Sequence, residues 1–127
     1  MRVIVCGGRD YDNEAFVFEC LDQLPIEAII QGGARGADTL ALRWGKQRLP
    51  PDCRLEFLAK WDKYGRGAGH IRNQQMLDEG KPDLVVAFSG GKGTENMVSR
   101  ARKAGVPVWQ PDIEPFSRLN NLEAGNE

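Results

Sequence analysis

The fold class predicted by this sequence is α/β: a single three-layer domain around a five-stranded parallel sheet. Three observations predict it. Five short apolar runs alternate with segments of helical periodicity. The runs lack polar alternation, as strands covered on both faces do. Three of them end in glycine-rich turns that lead toward helices. Strand–helix alternation with short links implies parallel strands joined by right-handed crossovers. The expected domain covers residues 1–111, with strand order 3-2-1-4-5 and a C-terminal tail over 112–127.

The first strand is Arg2–Cys6, and Gly7-Gly8-Arg9-Asp10 turns away from it. A helix over Glu14–Leu24 carries Val17, Leu21 and Leu24 on one stripe. The second strand closes at Ala28–Gln31. The turn Gly32 to Asp38 leads into a helix over Ala37–Leu49, whose Ala37, Leu40, Ala41 and Trp44 form an i, i+3, i+4, i+7 set. The third strand is Arg54–Ala59. Lys60–Gly67 follows as a long link of aromatics, charges and glycines, a mixture that binding loops share with ordinary surface loops. The helix over Ala68–Glu79 is more polar, with Ile71, Met76 and Leu77 as its apolar residues. Asp83–Phe88 is the fourth strand. The turn at Gly90–Thr94 opens a helix over Thr94–Ala104, stopped by Gly105. Val106–Trp109 is the fifth strand. The tail beyond Pro111 is polar, with Asn120, Asn121 and Gly125, and is expected to fray, with Phe116 as its docking point.

Composition narrows the function. A chain of 127 residues, 41% hydrophobic and 28% charged, buries a core without staples. A net charge of −1 gives no global attraction to nucleic acid or anionic membrane, so a nucleic-acid partner would need a local patch. No apolar run approaches the ~20 residues of a spanning helix. Met1 to Val5 reads as a strand rather than a signal peptide, so a cytoplasmic protein is expected. Cys6, Cys20 and Cys53 form no CxxC pair and read as buried reduced thiols. His70 is the single histidine; no metal site and no resident cofactor are expected.

The chemistry concentrates in the turns. In a parallel sheet each lies at the carboxyl edge, where ligands bind at the reversal of strand order. Glycine lets backbone approach a phosphate, and the first amides of a helix point out of its end unpaired. The helix dipole adds about half a positive charge there. The candidate phosphate-binding residues are Gly7, Gly8 and Arg9, then Gly32, Gly33, Arg35, Gly36 and Asp38, then Gly90, Gly91, Lys92, Gly93 and Thr94. Phosphate is expected at Gly90–Thr94, with Gly32–Gly36 assisting. Neither turn is the GxGxxG dinucleotide fingerprint or the GxxxxGK[ST] P-loop. A helix end supplies ~0.3–1 kcal/mol per anionic contact. Micromolar binding needs about −8 kcal/mol, so arginines and a stacking surface must supply the rest.

Those are found around the polar helix. Arg72 and Met76 stand i, i+4 and share a face. If Met76 packs inward, Arg72 lies beside the core and needs an anion, either a ligand phosphate or an acidic side chain. Asn73 adds a polar neighbour. Trp61 and Tyr64 precede the helix and can stack a base or anchor the loop. His70 reads as exposed or as a hydrogen bonder at the helix start.

Taken in order, GGRDY at 7–11, GGARGAD at 32–38, Trp61 with AGHIRNQQM at 68–76, and PDLVVAFSGGKGTENM at 82–97 resemble the YspA-like branch of the SLOG superfamily. The resemblance spans about residues 2 to 110. Related branches hold the Lonely Guy phosphoribohydrolases and DNA-processing protein A. It implies a Rossmann-like fold that binds nucleotides or their derivatives. The phosphoribohydrolases carry RKxxM, similar to Arg72-Asn73-Gln74-Gln75-Met76, which puts Arg72 on their catalytic arginine. Their PGGxGTxEE resembles Ser89-Gly90-Gly91-Lys92-Gly93-Thr94-Glu95-Asn96-Met97. The paired glutamates fall on Asn96 and Met97, and Glu95, one position early, is the carboxylate left; Asp10 and Asp38 are the other acids near the turns. Three readings follow. The first is a sensor or sequestering module for an ADP-ribose-like or nucleoside-phosphate ligand. The second is a hydrolase of a glycosidic or phosphate linkage using Arg72 and Glu95. The third is single-strand nucleic-acid binding, which the charge disfavours. The resemblance also implies a homodimer or larger assembly.

Overall fold

In the computed structural model, which describes residues 1–119, the first strand β1 (Arg2–Cys6) stands at the centre of the sheet. Val3 and Val5 point into one layer, and Ile4 and Cys6 into the other. Around β1 lie β2 (Ala28–Gln31), β3 (Arg54–Glu56), β4 (Leu84–Ala87) and β5 (Val108–Trp109). All pairings are parallel, as the alternation predicts, and the order is 3-2-1-4-5, as expected from the glycine turns after the first and fourth strands.

Helices α1 (Glu14–Asp22) and α2 (Ala37–Arg48) pack Val17, Leu21, Leu40 and Trp44 on the Val3/Val5 face. Asn13 caps α1, its Oδ1 accepting the Phe16 N–H at 3.2 Å. On the opposite face, α4 (Ala68–Gly80) and α5 (Lys92–Lys103) press Met76, Leu77, Met97 and Val98 onto Ile4 and Val85. The helices therefore cover both faces, which makes three layers.

Four differences from expectation have physical causes. β3 stops at Glu56 instead of reaching Ala59, because β2, its one partner, ends opposite it at Gln31. The link after it is helical: α3 (Trp61–Tyr64) runs into a 3₁₀ turn over Gly65–Gly67. The last main helix starts at Lys92, two residues before Thr94. Finally, 112–119 packs on the domain instead of fraying. The Phe116 ring meets Trp109 edge-on at 5.5 Å, Leu119 is buried, and the Asp112 carboxylate accepts the Ser89 N–H at 2.8 Å. Asn120, Asn121 and Gly125 lie outside the described residues. Cys6 and Cys20 are buried, Cys53 is partly exposed, and all three are free thiols. Among the described residues no helix is long and apolar enough to cross a membrane.

Candidate functional site

The chain leaves β1 toward one face of the sheet and leaves β4 toward the other. A crevice opens between neighbouring strands where this happens. The turn after β1 is tied down at Gly8. The Gly8 N–H donates to Ser89 O at 2.9 Å, and Gly8 O accepts from Tyr11 and Ala37 N–H, both at 3.2 Å. A Cβ on Gly90 would stand 2.6 Å from Gly8 N, and one on Gly7 2.7 Å from Ala37 Cβ. Gly36 has φ +77° and its missing Cβ is filled by Gly8 O. These glycines let the turns after β1 and β4 meet the start of α2.

The start of α5 is built differently. The amides of Lys92, Gly93 and Thr94 have no hydrogen-bond partner among the described residues, since the first helical bond is Glu95 N–H to Gly91 O. A Cβ on Gly91 or Gly93 would meet nothing within 4 Å. These amides border a cleft of about 420 Å³. Its walls include Arg9, Asp38, Trp61, Arg72 and Lys92. The volume lies within the roughly 300–1,000 Å³ of small-molecule sites. Trp61 is 49% exposed and lines the cleft, with the edge of its indole against Gly69. Tyr64 is also exposed and sits outside the lining.

A neighbouring cavity of about 520 Å³ shares Arg9, Ala34, Trp61 and Arg72 and adds Gly32, Gly33 and Arg35. Arg35 pairs with Asp10 at 3.4 Å in full solvent, which leaves the guanidinium free to turn. Gly33 is fixed by Gln31, whose Oε1 accepts its N–H at 2.6 Å while Nε2 donates to Glu56 at 3.0 Å.

Arg72 reaches from α4 to the strand ends. Its Nη1 donates to Gly32 O and, at 3.5 Å, to Phe57 O; its Nε donates to Asn73 Oδ1 at 3.2 Å. Burial lowers its pKa, and the Asp38 charge opposes that shift. Asp38, in the first turn of α2, is buried; its Oδ2 accepts Gly32 N–H at 3.2 Å and Ala34 N–H at 3.1 Å. Burial pushes the carboxyl up to about 6, against the pull of the Ala34 N–H and of Arg72. Its Oδ1 has no hydrogen-bond partner among the described residues, and the side chain borders the cleft.

Asn73 is buried and bridges the helices, its Nδ2 donating to Gly93 O at 3.2 Å and Asn96 Oδ1 at 3.1 Å. Asn96 Oδ1 also accepts from Arg100 Nε at 3.0 Å. The structure thus gathers Arg9, Asp38, Trp61, Arg72, Asn73 and the start of α5. It does not bring Glu95 to them: Glu95 is exposed and lines a separate cavity of about 630 Å³ with Ser89 and Asp112. Met97 is fully buried in the core. Sequence reasoning missed Cys6 and Arg66 as lining residues. Cys6 carried a signal in the strand alternation, which turns it toward α4; Arg66, within a glycine-flanked turn, carried none. Among the described residues no group of three His, Cys, Asp or Glu side chains could hold a metal ion.

Over residues 1–64 the chain matches the family model described as YspA, cpYpsA-related SLOG family. It is 35% identical over 117 residues to the Gene 61 protein of Mycobacterium phage D29, covering 84% of this chain and 93% of the phage protein. No solved structure matches it.

Proposed function

Because this chain belongs to the YspA, cpYpsA-related SLOG family, we propose that it binds a nucleotide or nucleotide derivative, an ADP-ribose-like molecule or a nucleoside phosphate, as a sensor or sequestering module. One observation carries the reading: three unpartnered amides at the start of α5 border the same cleft as Arg72, Lys92 and Trp61. The phosphate sits against those amides, where helix dipole and Lys92 favour an anion. The exposed Trp61 ring takes the base. The neighbouring cavity past Arg9 gives a longer ligand room to continue. The free cysteines support a reducing, cytoplasmic setting.

Hydrolysis is the second reading, and Asp38 is the observation that favours it. A buried carboxyl at about 6 beside an arginine, in a cleft, suits a general base. Against it, Asn96 spends its oxygen on Asn73 and Arg100, and Glu95 lies outside the cleft. Binding without turnover is therefore the function we favour.

Titration calorimetry of the full chain with AMP, ADP and ADP-ribose tests this, paired with chromatography for released base. Micromolar binding of at least one, with the nucleotide recovered intact, is the expected result. No heat and no thermal shift with any of them overturns the proposal, and released base moves it to the hydrolase reading.

A further inference from the structure

The proposed cleft has one feature that phosphate recognition leaves unused. Asp38 is 7% exposed, and its carboxylate is held in one orientation because Oδ2 accepts two backbone N–H groups. Oδ1 stays uncommitted. Arg72, the nearest cation, does not hydrogen-bond to it, since the Arg72 bonds go to Gly32 O, Phe57 O and Asn73 Oδ1. An ionised carboxylate is an acceptor only, and burying one without a full set of donors is unfavourable. Oδ1 is open to the cleft, so the cleft presents a carboxylate acceptor at the start of α2 and amide donors at the start of α5.

The donors that suit Asp38 are neutral. A ligand ammonium would have to enter past Arg9, Arg66, Arg72 and Lys92, all on the same walls. A phosphate cannot answer Asp38 either, because like charges repel at that distance from solvent. Hydroxyl groups can, and a nucleotide brings two of them in cis on one face of its ribose. We propose that Asp38 reads the ribose diol: its free oxygen accepts the 2′- and 3′-hydroxyls, which orients the ligand with its sugar at the start of α2 and its phosphate at the start of α5. This rests on the nucleotide-binding reading above and adds the direction of the ligand and a preference for ribo- over dideoxyribonucleotides.

Calorimetry with AMP and 2′,3′-dideoxy-AMP, on the full wild-type chain and on Asp38→Asn and Asp38→Ala, tests it. The Asn variant keeps an amide oxygen for the Gly32 and Ala34 N–H groups, and circular dichroism confirms folding. The expected result is that wild type prefers AMP by about tenfold or more, and that the preference falls to about threefold or less in both variants. Equal wild-type affinity for the two nucleotides overturns the inference while leaving nucleotide binding intact. So does a preference that survives both substitutions. Failure of wild type to bind either nucleotide overturns the parent reading, and this one with it.

Discussion

The Asn73 side-chain amide donates to Asn96 Oδ1 across 3.1 Å and so ties α4 to α5 immediately behind the cleft. Both helices bring a site wall: Arg72 precedes Asn73, and Gly93 O accepts the same amide. Replacing Asn73 with Ala strips Arg72 Nε, Gly93 O and Asn96 of a partner at once. We expect a loss of about 1–3 kcal/mol in urea unfolding, together with weaker nucleotide binding. Asn96 acts through its oxygen alone, accepting from Asn73 and Arg100, so Asn96→Asp retains both bonds and near-wild-type stability. A large destabilisation by Asn96→Asp would show that the arrangement of donors is otherwise.

Gly91 separates binding from folding. A Cβ there meets nothing within 4 Å, so an added side chain has room. Gly91→Val is expected to melt within a few degrees of wild type yet to bind AMP at least about tenfold more weakly, because the added methyls stand before the α5 amides. Unchanged affinity in the folded variant rejects the placement of phosphate.

Asp38 links pH to stability. Its carboxyl is carried from an ordinary 3.8 to about 6, so the folded state holds the proton more tightly than the unfolded one. The stabilisation is fully present below 3.8 and is lost as pH rises through about 6. The groups facing it are Arg72 from α4, Glu56 from β3, the Cys6 thiol from β1 and the backbone N–H of Gly32 and Ala34. Over that window the carboxyl contributes a decline of about 3 kcal/mol. Asp38→Asn removes the slope, so the variant gains on wild type in urea melts between pH 4 and 7. A constant difference across that range contradicts the assignment.

Arg72 fastens the ends of β2 and β3 to α4, a bridge that lysine with its single nitrogen cannot reproduce. Arg72→Lys should lower the melting temperature and weaken AMP binding, and Arg72→Ala should do more of both, by about 1.5–3 kcal/mol in affinity. Lost stability with intact affinity would make Arg72 a structural residue alone.

Association is the last prediction. Leu58, Tyr64 and Ile71 are all at least 41% exposed, and all fall between the end of β3 and the first turns of α4. We expect a homodimer through this side of the molecule, with light scattering giving a particle well above 14.1 kDa. A 14.1 kDa particle at high concentration refutes it.

The parallel sheet was legible because helical segments alternate with the apolar runs, and its order because Gly8 and Gly90 mark the two turns that meet at the switch point. Arg72 was legible as a polar residue sharing a helix face with Met76, and Asp38 as the acid that closes the second glycine turn. Their neighbours were harder. Gly91 and Gly90 look alike in sequence, yet one faces open space and the other fits against Gly8, a distinction that only the approach of two distant turns creates. Glu95 and Asn96 are adjacent, and 100° of helix rotation sends one to the outer cavity and the other to Asn73. The four residues of α3 are too short for any periodicity to reveal.

The packed segment after β5 also governs what this sheet can do in company. β5 is an outer strand of two residues, and Arg118 Nη1 donates to Val108 O at 3.2 Å while Phe116 covers Trp109. A bare outer strand is a template on which another chain adds its own. Cutting the chain after Pro111 would uncover that template and a large indole together. The cut also removes Asp112, which holds the Ser89 N–H beside Gly8, so the damage should show itself as concentration-dependent precipitation together with weaker nucleotide binding in whatever fraction stays dissolved.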